Sequence, residues 1–299
     1  MAEPSVAWFD NRIAVMPLKK LLRPTNNRVR LMVGLGLLAL VCVQCTKSSE
    51  AFRESQLVTS VAGQQVGVVS DPMAARIENM AKTDPIALLK FSLDNYDATI
   101  RDYRCTFLKQ ERIHGATGAE QEVQVKFLDK PFSVVMQWVR NAPIGDRALY
   151  IEGKNDNMML VHPRGSLGKL LGTVKKAPDS PEAMANTLRP INQFGFKRGL
   201  QALLVVYEKA AQNGDLKSTF LGYATVAGRR TLVLERTLPP NDEYPAARTM
   251  IYIDAQLLVP ISVEAWDWEG VQISRYTFDN VQINVGLTEA DFTPQANGL

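Results

Sequence analysis

From Leu216 to Gln282 the chain reads as strands and turns with no helix between them. Strand-forming stretches run over 216–226, 231–238, 249–254, 260–268 and 271–282. Ala227-Gly228-Arg229 joins the first two, and Glu269-Gly270 makes the last tight turn. Parallel strands need a crossover of about a dozen residues or more, so strands joined this briefly must pair antiparallel. This run sets the fold class before anything else is read.

The N-terminal half supplies the helices and more of the same sheet. Asp84 is placed to cap a helix, Pro85 suits its first position, and Ile86, Leu89, Leu93 and Tyr96 follow at helical spacing to about Ile100. The period then falls to two. Tyr103, Cys105 and Phe107 share one face, as do Val123, Val125 and Phe127, and then Phe132, Val134, Met136 and Trp138. Val135 and Val139 make that third strand apolar on its other side too, so the second face is expected to be covered. Residues 147–151 and 158–162 flank a hairpin turn at Gly153–Asn157. The stretch 163–179, with Gly165, Gly168, Gly172 and Pro178, is expected to be a long mobile loop. Ser180-Pro181-Glu182 opens a short helix to Leu188. A longer helix from about Phe196 carries its apolar stripe at Leu200, Leu203, Leu204, Tyr207 and Ala211 and ends at Gly214. The result is an α+β domain: one antiparallel sheet too long to stay flat, hence strongly curved, with helices covering its concave face.

Ahead of that domain the sequence divides differently. Residues 1–30 hold Arg12, Lys19, Lys20, Arg23, Arg28 and Arg30 against Glu3 and Asp10, so the whole positive excess of a chain with formal charge +3 lies there. The uncharged run Leu31–Val43 follows. It is shorter than the roughly 20 residues of a spanning helix and fits a signal h-region, with the basic flank left in the cytoplasm. The expected organisation is a basic leader with signal peptide or signal-anchor over 1–45, a flexible tether over 46–80, and a domain over 81–299. Met1 and Met16 both remain as starts. Cleavage, retention and lipidation at Cys45 all stay open for the leader, although Gln44 is not the small residue that usually precedes a lipidated cysteine. A net charge this small argues against a nucleic-acid partner.

Little in the chain suggests catalysis. The two histidines, His114 and His162, have no second ligand at metal-binding spacing. Gly165-Ser166-Leu167-Gly168 lacks the pattern and setting of a nucleophile elbow. No phosphate-binding glycine motif occurs in a strand-to-helix setting. No cofactor or metal is expected. Trp266 and Trp268 share a strand face, where core packing is favoured over a partner-facing edge. Lys169, Lys175 and Lys176, set among Leu170, Leu171 and Val174, read as a solvated loop in preference to a membrane contact.

The order of the strand-and-turn segments carries a resemblance. Val226–Leu234, Met250–Asp254, Pro260–Glu264 with the following Trp-Asp-Trp-Glu-Gly turn, Phe278–Val281, Asn284–Leu287 and Asp291–Pro294 resemble outer-membrane lipoprotein carrier-like proteins. The Asp84 helix, Tyr103–Phe107 and Gln110 resemble their opening. More narrowly, the stretch from about 80 to 296 resembles the bacterial domain of unknown function 1571 family. The resemblance implies an incomplete β-barrel lined with apolar side chains and lidded by helices, which in the carriers holds acyl chains. Phe107, Phe127, Val134, Met136 and Trp138 are the expected cavity lining. The expected function is a non-enzymatic, extracytoplasmic lipid- or lipoprotein-binding protein, monomeric and held at the inner membrane by its leader. The alternative is a cell-envelope structural or interaction module whose barrel is packed by its own helices. A hydrolase using His162, Ser166 and a carboxylate ranks third.

Overall fold

A computed structural model describes residues 71–299, without the side chains of 167–169. The expected leader over 1–45, including Met16 and Cys45, and residues 46–70 of the expected tether lie outside the described residues.

The described chain opens with two helices of the same local design. Helix α1 spans Pro72–Thr83 and α2 spans Pro85–Thr99. Each begins with an aspartate cap followed by proline: Asp71 accepts from the Met73 N–H and Asp84 from the Ala87 N–H. Helix α1 therefore corrects the sequence reading, which placed 72–80 in the tether. Its apolar signal is thin, with Ile77 and Ala81 alone fully buried.

The remaining elements are β1 (Asp102–Ile113), β2 (Ala116–Thr117), β3 (Gln121–Leu128), β4 (Ser133–Arg140), β5 (Gly145–Ile151), β6 (Met159–Pro163), α3 (Gly165–Leu171), β7 (Val174–Lys176), α4 (Pro181–Met184), α5 (Phe196–Gln212), β8 (Lys217–Val226), β9 (Arg229–Thr237), β10 (Arg248–Asp254), β11 (Pro260–Trp266) and β12 (Gln272–Ile283). The strands form one twelve-stranded sheet in the order β7-β6-β5-β4-β3-β1-β12-β11-β10-β9-β8, with β2 paired to β1. Every pairing is antiparallel. Two meanders thus meet where the first long strand pairs with the last, and the sheet stays open, ending at β7 and β8. The antiparallel α+β architecture agrees with the short connections of the sequence.

Two local expectations change. The stretch 163–179 is not one loop: it holds α3 and then β7, which pairs Val174 with Val161 and extends the sheet. Gly172, at φ +60°, ends α3 and turns the chain into β7, so this glycine delimits elements instead of loosening them. The helix at Ser180 runs only to Met184, with the Ser180 hydroxyl accepting from the Ala183 N–H.

Alternation along the strands sorts the core. On one face, Tyr103, Cys105, Phe107, Val123, Val125, Phe127, Val134 and Met136 are buried together with Tyr96 of α2 and with Phe194 and Phe196 at the entry to α5. Further along the same sheet, Leu88 and Leu89 of α2 and Leu200, Leu203 and Tyr207 of α5 pack with Leu232, Leu234, Ile251 and Ile253. On the opposite face, Leu128, Val135, Leu149 and Leu160 are covered by Leu287 and Phe292 of the C-terminal segment. The expected cover over β4 therefore reaches Val135, which is 5% exposed, but not Val139, which is 53% exposed. Trp266 and Trp268 are not core residues. The Arg248 guanidinium lies 4.0 Å from the Trp266 ring, and Trp268 stands exposed in the turn with its indole N–H donating to the Leu238 carbonyl.

Candidate functional site

A cavity of about 470 Å³ opens between the sheet and the segment that joins β7 to α5. Its lining is chiefly apolar, with Phe107, Met136, Trp138, Met159, Phe194 and Phe278 prominent. That volume falls in the range of ligand pockets, about 300–1,000 Å³.

Strand register explains why the cavity lies where it does. The row Tyr103–Phe127–Val134–Tyr150 crosses β1, β3, β4 and β5. It is filled: Tyr103 stacks on Phe127 at 4.6 Å and meets Phe196 at 4.6 Å, and Phe127 meets Phe132 edge-on at 5.2 Å. Gly195 permits this close packing. Its backbone sits at φ +107° and ψ 164°, a region essentially reserved for glycine, and a Cβ there would lie 2.9 Å from the Tyr103 hydroxyl and 3.0 Å from the Phe127 ring. The row Phe107–Val123–Trp138, four residues further along β1, faces the open space. Of the five residues expected to line a cavity, Phe107, Met136 and Trp138 do so, while Phe127 and Val134 belong to the filled row. Alternation identifies a face, and it is blind to depth along the strand.

One end of the cavity is polar, a feature the sequence reading did not single out. Lys109 and Glu111 continue the parity of Tyr103, Cys105 and Phe107 along β1, so both point to the same side. Lys109 Nζ lies 3.0 Å from Glu111 Oε2 and donates to Thr187 Oγ1 at 2.8 Å. The Tyr276 hydroxyl donates to Glu111 Oε1 at 2.5 Å, and the Leu188 N–H donates to Oε2 at 3.2 Å. Burial, reinforced by the Glu111 carboxylate, pushes the Tyr276 phenol well above its ordinary range. The pair therefore ties the 187–188 stretch to β1 and β12 at the cavity wall. Register carries the polar band across the sheet, because Glu111 pairs with Ser274, Ser274 with Ala265, Ala265 with Thr249, and Thr249 with Arg236. The signal for all of this was the parity of two charged residues in a strand whose preceding members were apolar.

Other candidates fall elsewhere. His162 Nδ1 is 2.9 Å from Asp146 Oδ1, both half-buried, and His162 does not line the cavity. Ser166 is exposed, and among the described residues no hydrogen bond joins it to His162. His114 sits exposed in a turn at φ +51°. The Cys105 thiol is fully enclosed, and burial raises it far above the range in which a thiolate forms. Among the described residues no group of three or more metal-ligating side chains gathers, and no helix is long and apolar enough to cross a membrane.

No curated protein matches this chain. Solved structures similar to it include the MucA/MucB complex of Pseudomonas aeruginosa at 11% identity, covering 72% of this chain and 62% of that one with a TM-score of 0.44. The lipoprotein LppX of Mycobacterium tuberculosis matches at 13% identity, over 69% of this chain and 99% of that one, with a TM-score of 0.41. A LolA superfamily protein of Nitrosomonas europaea matches at 10% identity, over 69% and 98%, with a TM-score of 0.28. The family described as protein of unknown function (DUF1571) matches residues 100–298, from just before β1 through the C-terminal segment, and the chain belongs to that family.

Proposed function

We propose that this protein binds the acyl chain of a lipid or lipoprotein in the cavity beside Phe107 and acts as a non-enzymatic carrier or receptor. The observation that carries the reading is the open apolar cavity itself, about 470 Å³ beside a sheet face that is otherwise closely packed. Moving one methylene from water into such a space gains about 0.8 kcal/mol, so a chain of about ten carbons gains about 8 kcal/mol to set against its loss of freedom. In this reading the sheet is a curved, incomplete barrel and the helices cover its concave face. The basic flank and uncharged run of 1–45 support a location outside the cytoplasm at the inner membrane, and the reading takes the domain as a monomer.

The alternative, an envelope scaffold with a self-packed interior, is favoured by the filled Tyr103–Phe127 row and disfavoured by the space at Phe107, Met136 and Trp138. Non-enzymatic action is supported by the buried polar group of the cavity wall: Glu111 is held by three donors and is not free to act as a base.

The test is extraction of the purified protein followed by lipid mass spectrometry, with uptake of a fluorescent fatty acid in parallel. Ala148 lines the cavity from β5, and Ala148→Phe is expected to abolish uptake by filling it. A wild-type protein that carries no lipid and takes up no fatty acid sinks the proposal.

A further inference from the structure

We infer that the ligand of this cavity is a single-chain amphiphile with an acidic head, a carboxylate or a phosphate, and that Lys109 and Arg189 receive that head. The inference rests on the lipid-binding reading above and specifies what it leaves open. The cavity wall joins two chemistries: Phe107, Phe194 and Phe278 gather in one aromatic cluster, and Tyr276, stacked on Phe107 at 5.7 Å, leads from it to the hydrogen-bonded group of Lys109, Glu111 and Thr187. A ligand that satisfies both has an apolar tail and a polar head.

The hydrogen-bond inventory says which head. Glu111 is saturated, with Oε1 accepting from Tyr276 and Oε2 accepting from Lys109 and the Leu188 N–H. Thr187 Oγ1 accepts from Lys109 and donates to the Arg189 carbonyl. What remains unused is cationic and donating. An ammonium has three N–H bonds, and Lys109 spends two of them, on Glu111 and Thr187. Arg189 is a lining residue of the cavity and is exposed, and its guanidinium makes no ion pair or hydrogen bond among the described residues. Lys176 and Glu182 also line the wall, with opposite charges, so they leave no net preference. Spare donors on two cations, with the nearby carboxylate already occupied, are complementary to an anionic oxygen acceptor. Arginine suits both acids, since its planar fork matches carboxylate and phosphate alike. A neutral ester or alcohol head would leave the Arg189 charge without a counterpart.

Displacement of Nile red from the full-length protein tests this with palmitic acid, methyl palmitate and hexadecyl phosphate. The acid or the phosphate is expected to displace the dye at about tenfold lower concentration than the ester, the difference of one charge-assisted hydrogen bond. Whichever of the two is the stronger names the head. The exposed Arg189→Gln is expected to pull the acid-to-ester ratio towards one. The double variant Lys109→Met/Glu111→Leu, which removes the buried pair together, is expected to do the same. Equal displacement by all three compounds overturns the acidic head and leaves lipid binding standing. A ratio unchanged in both variants overturns the roles of Lys109 and Arg189. No displacement by any compound overturns the head assignment and the lipid-binding reading together.

Discussion

Removing the Glu111 carboxylate tests whether the polar end of the cavity is a low-dielectric site. The Glu111 side chain is 3% exposed and that of Lys109 is 11% exposed, so the pair is shielded from water on nearly all sides. Glu111→Ala strips the Lys109 ammonium of its counter-ion and leaves the Tyr276 hydroxyl and the Leu188 N–H without their acceptor. Breaking a buried pair from one side costs about 3–5 kcal/mol, because the surviving charge stays buried. With an m-value of about 2–3 kcal/mol/M, the urea midpoint falls by about 1–2.5 M. Equilibrium unfolding followed by tryptophan fluorescence reads this directly. The double variant Lys109→Met/Glu111→Leu removes both charges and keeps the volume apolar. It is expected to recover part of the loss, the orphaned phenol and amide, at about 1–3 kcal/mol each, accounting for the rest. A single-variant cost below about 1 kcal/mol refutes the reasoning, since it means that cavity water already solvates Lys109 and that the pair is screened like a surface ion pair.

Gly195→Ala is expected to destabilise the fold by more than about 2 kcal/mol in the same assay, through a backbone region closed to alanine and a Cβ within 3.0 Å of Phe127; an unchanged midpoint would mean that the α5 entry is free to shift. The Cys105 thiol is expected to resist disulfide reagents at pH 8 in the native protein, so that Cys105→Ser leaves the number of fast-reacting thiols unchanged until urea is added. Hydrogen bonds from Thr288, backbone first, hold the Asp291 carboxyl below its ordinary range. A lowered folded pKa contributes stability above the unfolded value of about 3.9 and loses it as pH falls through the folded one. Protection of 287–299 against hydrogen exchange, corrected for the intrinsic rate, is therefore expected to fall as pH drops below about 3.9 in the wild type, and Asp291→Asn removes that acid step.

The sheet was legible because its information is local. Period-two alternation, short turns and the Asp84-Pro85 cap each act within a few residues, and β8 to β12 appear close to where that reading places them. Helix α1 carries the same Asp-Pro signal at Asp71-Pro72, but its buried stripe amounts to Ile77 and Ala81, too few to set a period in the sequence. The cavity was half legible for a different reason. Phe107 and Phe127 have the same chemistry, the same strand parity and neighbouring strands, yet Phe107 borders the cavity and Phe127, enclosed by Tyr103 and Phe132, does not. What separates them is the chain returning some seventy residues later, where Gly195 and Phe196 close over Tyr103 and Phe127.

No local pattern in β1 encodes that return, but β1 does encode the consequence at its other end. A strand face that runs Tyr, Cys, Phe and then Lys, Glu commits two charges to the buried side. Burying charge is costly unless partners are supplied, so such a face is stable only if distant residues satisfy it. Thr187, Leu188 and Tyr276 do so here. Charges that keep the parity of a core stripe thus mark where the packed core gives way to a polar chamber, and following that parity past Phe107 leads to the polar end of the cavity.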